Sequence, residues 1–236
     1  MDSSRTEILV GKEGMKRLSG ACVAVFGLGG VGGYAAEALV RAGIGRMVLV
    51  DYDDVAPSNI NRQIIALQSS IGMPKTEVAE KRFKDINPDL EIRSYRMRID
   101  PVNDGGALAD GITHAIDAID EVDAKVGLIT ALHRSGTSFV SSMGAGSKLD
   151  PSGIRLADIR DTRHCPLARA VRHRLKKNGI HTGIRCLYSE ENLRRFERGA
   201  PGHPGKAVLQ GTVSYMTGMF GLYAAGIIIR DILGIG

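Results

Sequence analysis

The sequence predicts an α/β fold: a doubly wound, mostly parallel sheet with a basic insertion and an apolar C-terminal helix. Three observations predict it. Short apolar runs alternate with helical patterns from residue 21 to residue 146. A glycine turn joins the first of these runs to its helix. Acids stand at the ends of the second and third runs, where an open parallel sheet holds its ligand.

Taken in order, ACVAVF reads as a buried strand, GLGGVGG as the turn, and VGGYAAEALVRAG as a helix rich in Ala and Leu that Gly43 and Gly45 close. RMVLVD is a second buried strand, and a polar loop, DYDDVAPSNINRQ, begins at its last residue, Asp51. A helix starts near Met73-Pro74-Lys75, runs through TEVAEKRFKDI and stops at Asn87-Pro88. EIRSYRMRI alternates apolar with basic residues, as a half-exposed strand at a sheet edge does. THAIDAID is a strand with acids at its far end, followed by a helix over 122–134 and the strand TSFVSSMGAG. From Gly146 the texture changes. SKLDPSGIRLADI predicts a hairpin around Asp150-Pro151-Ser152-Gly153, and PLARAVRHRLKK a basic helix between Pro166 and Asn178-Gly179. IRCLYS is a short strand, and ENLRRFERGAPGHPGK a linker. The chain divides into a nucleotide-binding core (1–145), a basic substrate-facing insertion (146–206) and a C-terminal core or interface helix (207–236), all in one domain.

Composition excludes several classes. With 43% hydrophobic and 24% charged residues the chain is neither disordered nor fibrous. Trp is absent and aromatics are 5%, too few for an aromatic platform that stacks single-stranded bases. Cys22, Cys165 and Cys186 form no CxxC pair, which argues against a disulfide scaffold or a four-cysteine zinc site and fits a reducing, cytoplasmic compartment. No signal-peptide core opens the chain. The uncharged stretch 207–229 is long enough to span a bilayer, but its Gly, Ser, Thr and Gln residues favour a packed helix. Residues 155–206 carry 13 Lys and Arg against 5 Asp and Glu, a local excess of eight positive charges in a chain whose total is +5. Four of the six histidines (164, 173, 181 and 203) fall there too. Such a sector suits a polyanion.

Gly27-x-Gly29-x-x-Gly32 follows a strand and opens a helix, the context in which backbone N–H groups approach a phosphate. Asp51, 19 residues past Gly32, is placed for a ribose. A nicotinamide or flavin dinucleotide and ATP both fit that much. Asn59, Arg62, Gln63 and Lys75 favour ATP, because two fixed cations beyond the ribose strand suit a triphosphate and a departing pyrophosphate. Asp117 and Asp120 carry oxygens suited to a magnesium ion on those phosphates.

The run GLGGVGGYAAEALVRAGIGRMVLVDYDDVAPSNINRQIIAL, with GMPKTEVAEKRFKDINPDLEI and DAIDEVDAK, resembles the ubiquitin-activating (ThiF/MoeB) superfamily of adenylating enzymes. The tail segments PLARAVRHRLKK, CLYSEE and GTVSYMTGMFG resemble its branch that acts on threonylcarbamoyladenosine in tRNA. The resemblance implies a Rossmann-like fold, ATP and magnesium, and adenylation of a carboxylate followed by a cyclising dehydration. It implies that Gly30 lies against the ATP phosphates and that Asp51 binds the ribose; Gly27, Gly29 and Gly32 of the same turn and Asp53 of the following loop are further candidate nucleotide contacts. It also implies that Ser58 to Arg62, Asn59 among them, frame the nucleotide, that Arg62 and Lys75 act on the phosphates, and that Asp120 is the magnesium-coordinating acid; Gln63 and Asp117 stay candidates from the residue reading alone. It further implies a homodimer in which Arg5 enters the neighbouring subunit's site, with tRNA on 155–206 and no DNA. Adenylation of a ubiquitin-like or sulfur-carrier protein is the alternative, which would bring a sulfur-transfer or carrier-protein partner; an NAD-dependent oxidoreductase is a more distant one. Paired CxxC motifs of many members are missing, so no zinc is expected. Cys186 is the one cysteine placed for a catalytic part.

Overall fold

A computed structural model describes residues 1–99, 111–192 and 211–235. The apolar run Cys22–Phe26 (β1) is buried along its whole length, because it is flanked by parallel strands and covered on both faces. Its side chains alternate. Val23 and Val25 enter one apolar cluster, and Cys22, Ala24 and Phe26 enter the other. On one side stand Arg46–Asp51 (β2) and Glu91–Arg96 (β3). On the other stand His114–Asp117 (β4), Ser138–Ser142 (β5) and Arg185–Ser189 (β7). Ile154–Asp158 (β6) closes the sheet antiparallel to β7, giving the order β3-β2-β1-β4-β5-β7-β6. The chain leaves β1 toward β2 and later returns to β4 on its opposite side, so the switch point lies between β1 and β4.

Gly32–Ala42 (α2), Lys75–Ile86 (α3) and Ser214–Leu233 (α6) contribute side chains to the first cluster, and Val122–Ser135 (α4) and Pro166–Lys177 (α5) to the second. Ser4–Gly20 (α1) joins the first through Leu18. Nothing in the periodicity of residues 1–19 announced α1. Gly11 breaks it with φ 72° and ψ 172°, and Ile8 and Leu9 are 81% and 85% exposed, so in its first half Val10 alone among the large apolar side chains packs against the first cluster.

The last helix passes the length and hydropathy test for a membrane span, but half of its apolar window is buried inside the protein. Gly218 and Gly221 let α6 lie directly on α2. A Cβ at Gly221 would come within 2.3 Å of the Val31 carbonyl oxygen. The small residues thus serve close helix packing. Tyr215, Met219, Leu222 and Tyr223 form an exposed apolar stripe on the outer side of α6.

One expectation for 146–206 changes. No hairpin forms around residues 150–153; Pro151–Gly153 is a short helical turn, and β6 pairs with β7 instead. Antiparallel pairing with a strand already bonded to β5 satisfies more backbone groups than a local hairpin would. The segment therefore supplies two strands of the central sheet. Residues 193–206 of the linker, His203 among them, and the first residues of the uncharged stretch lie outside the described residues.

Candidate functional site

The chain turns sharply after Phe26, and Gly27 makes that turn with φ 88°. A Cβ on Gly32 would stand 1.7 Å from the Gly27 carbonyl oxygen, so the first turn of α2 sits on the loop itself. The Leu28 amide donates to Asp51 Oδ2 at 2.6 Å, and the Asp53 amide donates to Asp51 Oδ1 at 2.8 Å. One carboxylate at the end of β2 thereby fixes the glycine turn and its own loop. Burial raises the Asp51 carboxyl above its ordinary range, against the opposing pull of Lys75 and the two amides.

Lys75 opens α3 and is buried, and its Nζ donates to Asp53 Oδ2 at 2.7 Å. That acid compensates a cation at the positive end of a helix. Arg62 Nη1 donates to the Ser58 carbonyl at 2.7 Å and to Asn61 Oδ1 at 3.0 Å. Asn59 is buried and accepts from the Ala56 amide at 3.0 Å. Gln63 is buried as well, and its Oε1 has no hydrogen-bond partner among the described residues. An orphaned acceptor of this kind is costly unless a ligand or water meets it.

One cavity of about 740 Å³ gathers these groups at the carboxyl ends of β1, β2 and β4. Gly27, Gly29, Gly30, Asp51, Asp53, Asn59, Arg62, Gln63 and Lys75 line one end, with Asp120 on the wall. Ser142 to Gly146, Lys148, Cys165, Pro166, Leu167 and Ala170 line the other. Above them Arg98 pairs with Glu121 and lies over the Tyr52 ring, 5.8 Å from its centre.

Other expected residues stand apart. Gly32 lies beneath the turn, and Ser58 is exposed and gives only its carbonyl to Arg62. Arg5 is exposed on α1 and does not line the cavity of its own chain. Asp117, expected beside Asp120 on a metal, has its carboxylate engaged by protein groups. Its carboxylate is fully buried, accepts from Ser141 Oγ at 2.6 Å and the Ile119 amide at 3.1 Å, and pairs with Lys125 Nζ at 2.9 Å. Lys125 Nζ also donates to the Ile119 carbonyl at 2.7 Å, so the pair shapes the loop that presents Asp120. Cys186, expected as a candidate for a catalytic part, does not line the cavity. It lies wholly inside the second apolar cluster, where burial pushes its thiol far above the ordinary range and leaves it protonated.

Sequence reasoning missed Lys125 and Lys148. Lys148 lines the cavity with 2% exposure and donates to the Glu191 carbonyl; burial lowers its pKa. A lysine directly after the small-residue run Gly144-Ala145-Gly146-Ser147 was the available signal. Cys165, expected at a helix start, caps α5 by accepting from the Ala168 amide at 3.5 Å.

A doubly wound sheet whose switch-point cleft offers backbone amides at a glycine turn and cations opposite is a nucleotide-binding domain. The chain belongs to the ThiF family, whose model matches residues 3–236. It is similar to tRNA threonylcarbamoyladenosine dehydratase of Bacillus subtilis (strain 168), 36% identical over 98% of this chain and 94% of that protein. The Escherichia coli (strain K12) protein of the same name is 38% identical over 80% of this chain and 73% of its own length. The crystal structure of the E. coli enzyme in complex with ATP superimposes with a TM-score of 0.89 at 34% identity, covering 98% of this chain and 93% of that one. A complex with AMP matches with a TM-score of 0.90 at the same identity and coverage.

Proposed function

We propose that this chain is an ATP-dependent tRNA-modifying enzyme that activates the carboxylate of threonylcarbamoyladenosine and drives its cyclising dehydration. The two-ended cavity carries the reading: amides, two cations and an orphaned acceptor stand at one end, and an open, weakly charged acceptor end lies beyond them. Likeness to the Bacillus dehydratase over nearly the whole of both chains supports it.

ATP enters with its phosphates toward Gly27, Gly29 and Gly30 and its ribose toward Asp51. Asp53, Asn59 and Gln63 complete the cradle, and Gln63 Oε1 gains the donor it lacks. The substrate carboxylate attacks the α-phosphorus, the bond to pyrophosphate breaks, and Arg62 and Lys75 take up the charge that develops on the leaving group. The carbamoyl part of the same nucleoside then attacks the activated acyl carbon and expels AMP, which departs with one former carboxylate oxygen. The nucleophile is tethered, so attack gains the effective molarity of an intramolecular reaction and needs no cysteine. Asp120, exposed on the cavity wall, fits a magnesium ion that neutralises phosphate charge, since this ion binds through one or two carboxylates and substrate oxygens.

The same reading assigns a homodimer. Arg5 is exposed and does not line its own cavity, while Ile8, Leu9 and the α6 stripe leave apolar surface uncovered. Three unpaired, buried cysteines suit a cytoplasmic setting.

Incubation with ATP and threonylcarbamoyl-modified tRNA should release AMP and pyrophosphate and remove one water from the nucleoside, read by mass spectrometry. ADP as product, indifference to tRNA, or pyrophosphate exchange that requires a carrier protein instead would overturn the reading.

A further inference from the structure

Helix α5 begins at the acceptor end of the cavity, where Pro166 and Ala170 form part of the wall. The same side of the helix continues, at 100° per residue, to Arg174 and Lys177. These two line a second cavity of about 650 Å³, a groove between α4 and α5 that Arg134 flanks from the α4 side. The groove thus runs on from the mouth of the first cavity for roughly 16 Å, the rise of the eleven residues from 166 to 177. Beside it, one turn apart, Arg169, His173 and Lys176 are exposed on α5.

Helix energetics do not account for this charge. Cations near the carboxyl end of α5 suit its dipole, but Arg169 stands at the amino end, where a cation is disfavoured and where the first turn holds no acid. Arg174 is paired with Asp123 across the groove. Arg134, Arg169, Lys176 and Lys177 have no ion-pair partner among the described residues. Four cations without an ion-pair partner among the described residues, set along α5 and the groove that leads away from the cavity mouth, suit a neighbouring polyanion.

We infer that the RNA strand continuing from the reacting nucleotide lies along the outer face of α5 and into the α4–α5 groove. Its phosphates are met by Arg169, Lys177 and Arg134. This rests on the tRNA reading above and adds to it a path. The contacts go to the backbone and position the strand without reading its sequence. The nucleoside reaches the cavity by leaving the stack, as enzymes that act on a base require.

The test compares the wild type, the double variant Arg169→Gln/Lys177→Gln and a control, Lys81→Gln/Lys84→Gln, which removes equal charge from α3 on the opposite face of the sheet. Affinity for modified tRNA is measured from 50 to 200 mM salt. The α5 variant should bind about tenfold more weakly and lose roughly 1.4 from the salt slope, two single-strand phosphate contacts at about 0.7 each. The control should lose less than half of that. An α5 variant no weaker than the control overturns the path and leaves the tRNA reading standing. A wild-type chain with no affinity for tRNA overturns both. Thermal midpoints confirm that both variants fold.

Discussion

Lys125 Nζ lies 2.9 Å from Asp117 Oδ2 with neither side chain exposed, so the protein holds a fully desolvated ion pair beneath its cavity. Such a pair resists the loss of one partner far more than the loss of both. Lys125→Met should lower the unfolding free energy by about 3–5 kcal/mol, and adding Asp117→Asn should recover part of it. Urea unfolding of the single and double variants reads this directly. A single variant as stable as the wild type would mean that the carboxylate takes up a proton at no cost.

In the proposed mechanism Lys75 and Arg62 take up the charge on pyrophosphate. Arg62→Ala or Lys75→Ala should each cut turnover by roughly 10²-fold, the usual loss for one removed stabilising donor. Affinity for tRNA should stay within about twofold, since phosphate contacts along α5 carry that binding. A parallel fall in tRNA affinity would instead assign these residues to the RNA surface.

Asp231 receives Arg185 Nη1 at 2.9 Å and Ser138 Oγ at 3.0 Å, joining α6 to β7 and β5. Burial works to raise its carboxyl, but the Arg185 and Ser138 hydrogen bonds and the Arg185 charge win and hold it below the ordinary range. Because the folded value is the lower one, this stability is present above the unfolded carboxylate pKa and is lost as pH falls through the folded value. Asp231→Asn should therefore cost about 1–3 kcal/mol at pH 7, a deficit that shrinks below about pH 4. Denaturation midpoints across that range give the comparison.

Gly221→Val should force α6 away from α2, since the Val31 carbonyl oxygen and Tyr34 Cβ stand 2.3 and 2.9 Å from an added Cβ. Overpacking of this sort costs about 1–3 kcal/mol or more, visible as a lower thermal midpoint. An unchanged midpoint would mean that the two helices are not in contact in solution.

The proposal that Arg5 serves the partner subunit's site has its own signature. Arg5→Ala and Lys75→Ala should each be nearly inactive alone. Mixed and allowed to exchange subunits, they should regain about one quarter of wild-type activity, because half of the dimers are mixed and hold one intact site. No recovery on mixing would place Arg5 outside the partner's site.

Much of the cleft could be read from the chain because its residues sit at fixed offsets from strands and helix starts. Gly27, Asp51 and Lys75 each stand at an element boundary, and the boundary sets their position. Asp117 and Asp120 look alike in the sequence, three residues apart, and only burial separates the ion-paired acid from the solvent-facing one. What decides it is Lys125, one helical turn into α4, whose partner cannot be inferred from spacing. Helix α1 was illegible for a related reason: Ile8 and Leu9 point outward, so the period that betrays a helix is missing. Strand β6 pairs with a segment some thirty residues later, a contact that local turn chemistry at Asp150-Pro151 does not foresee.

The sheet ends in β3 on one side and β6 on the other. Arg93 and Arg96 stand on the first, and Arg155 on the second. Terminal strands expose backbone groups on which another copy's sheet can grow, and guanidinium groups there make such accretion unfavourable. The strand margins thus discourage fibre-like self-association in a molecule that leaves apolar surface uncovered on α6.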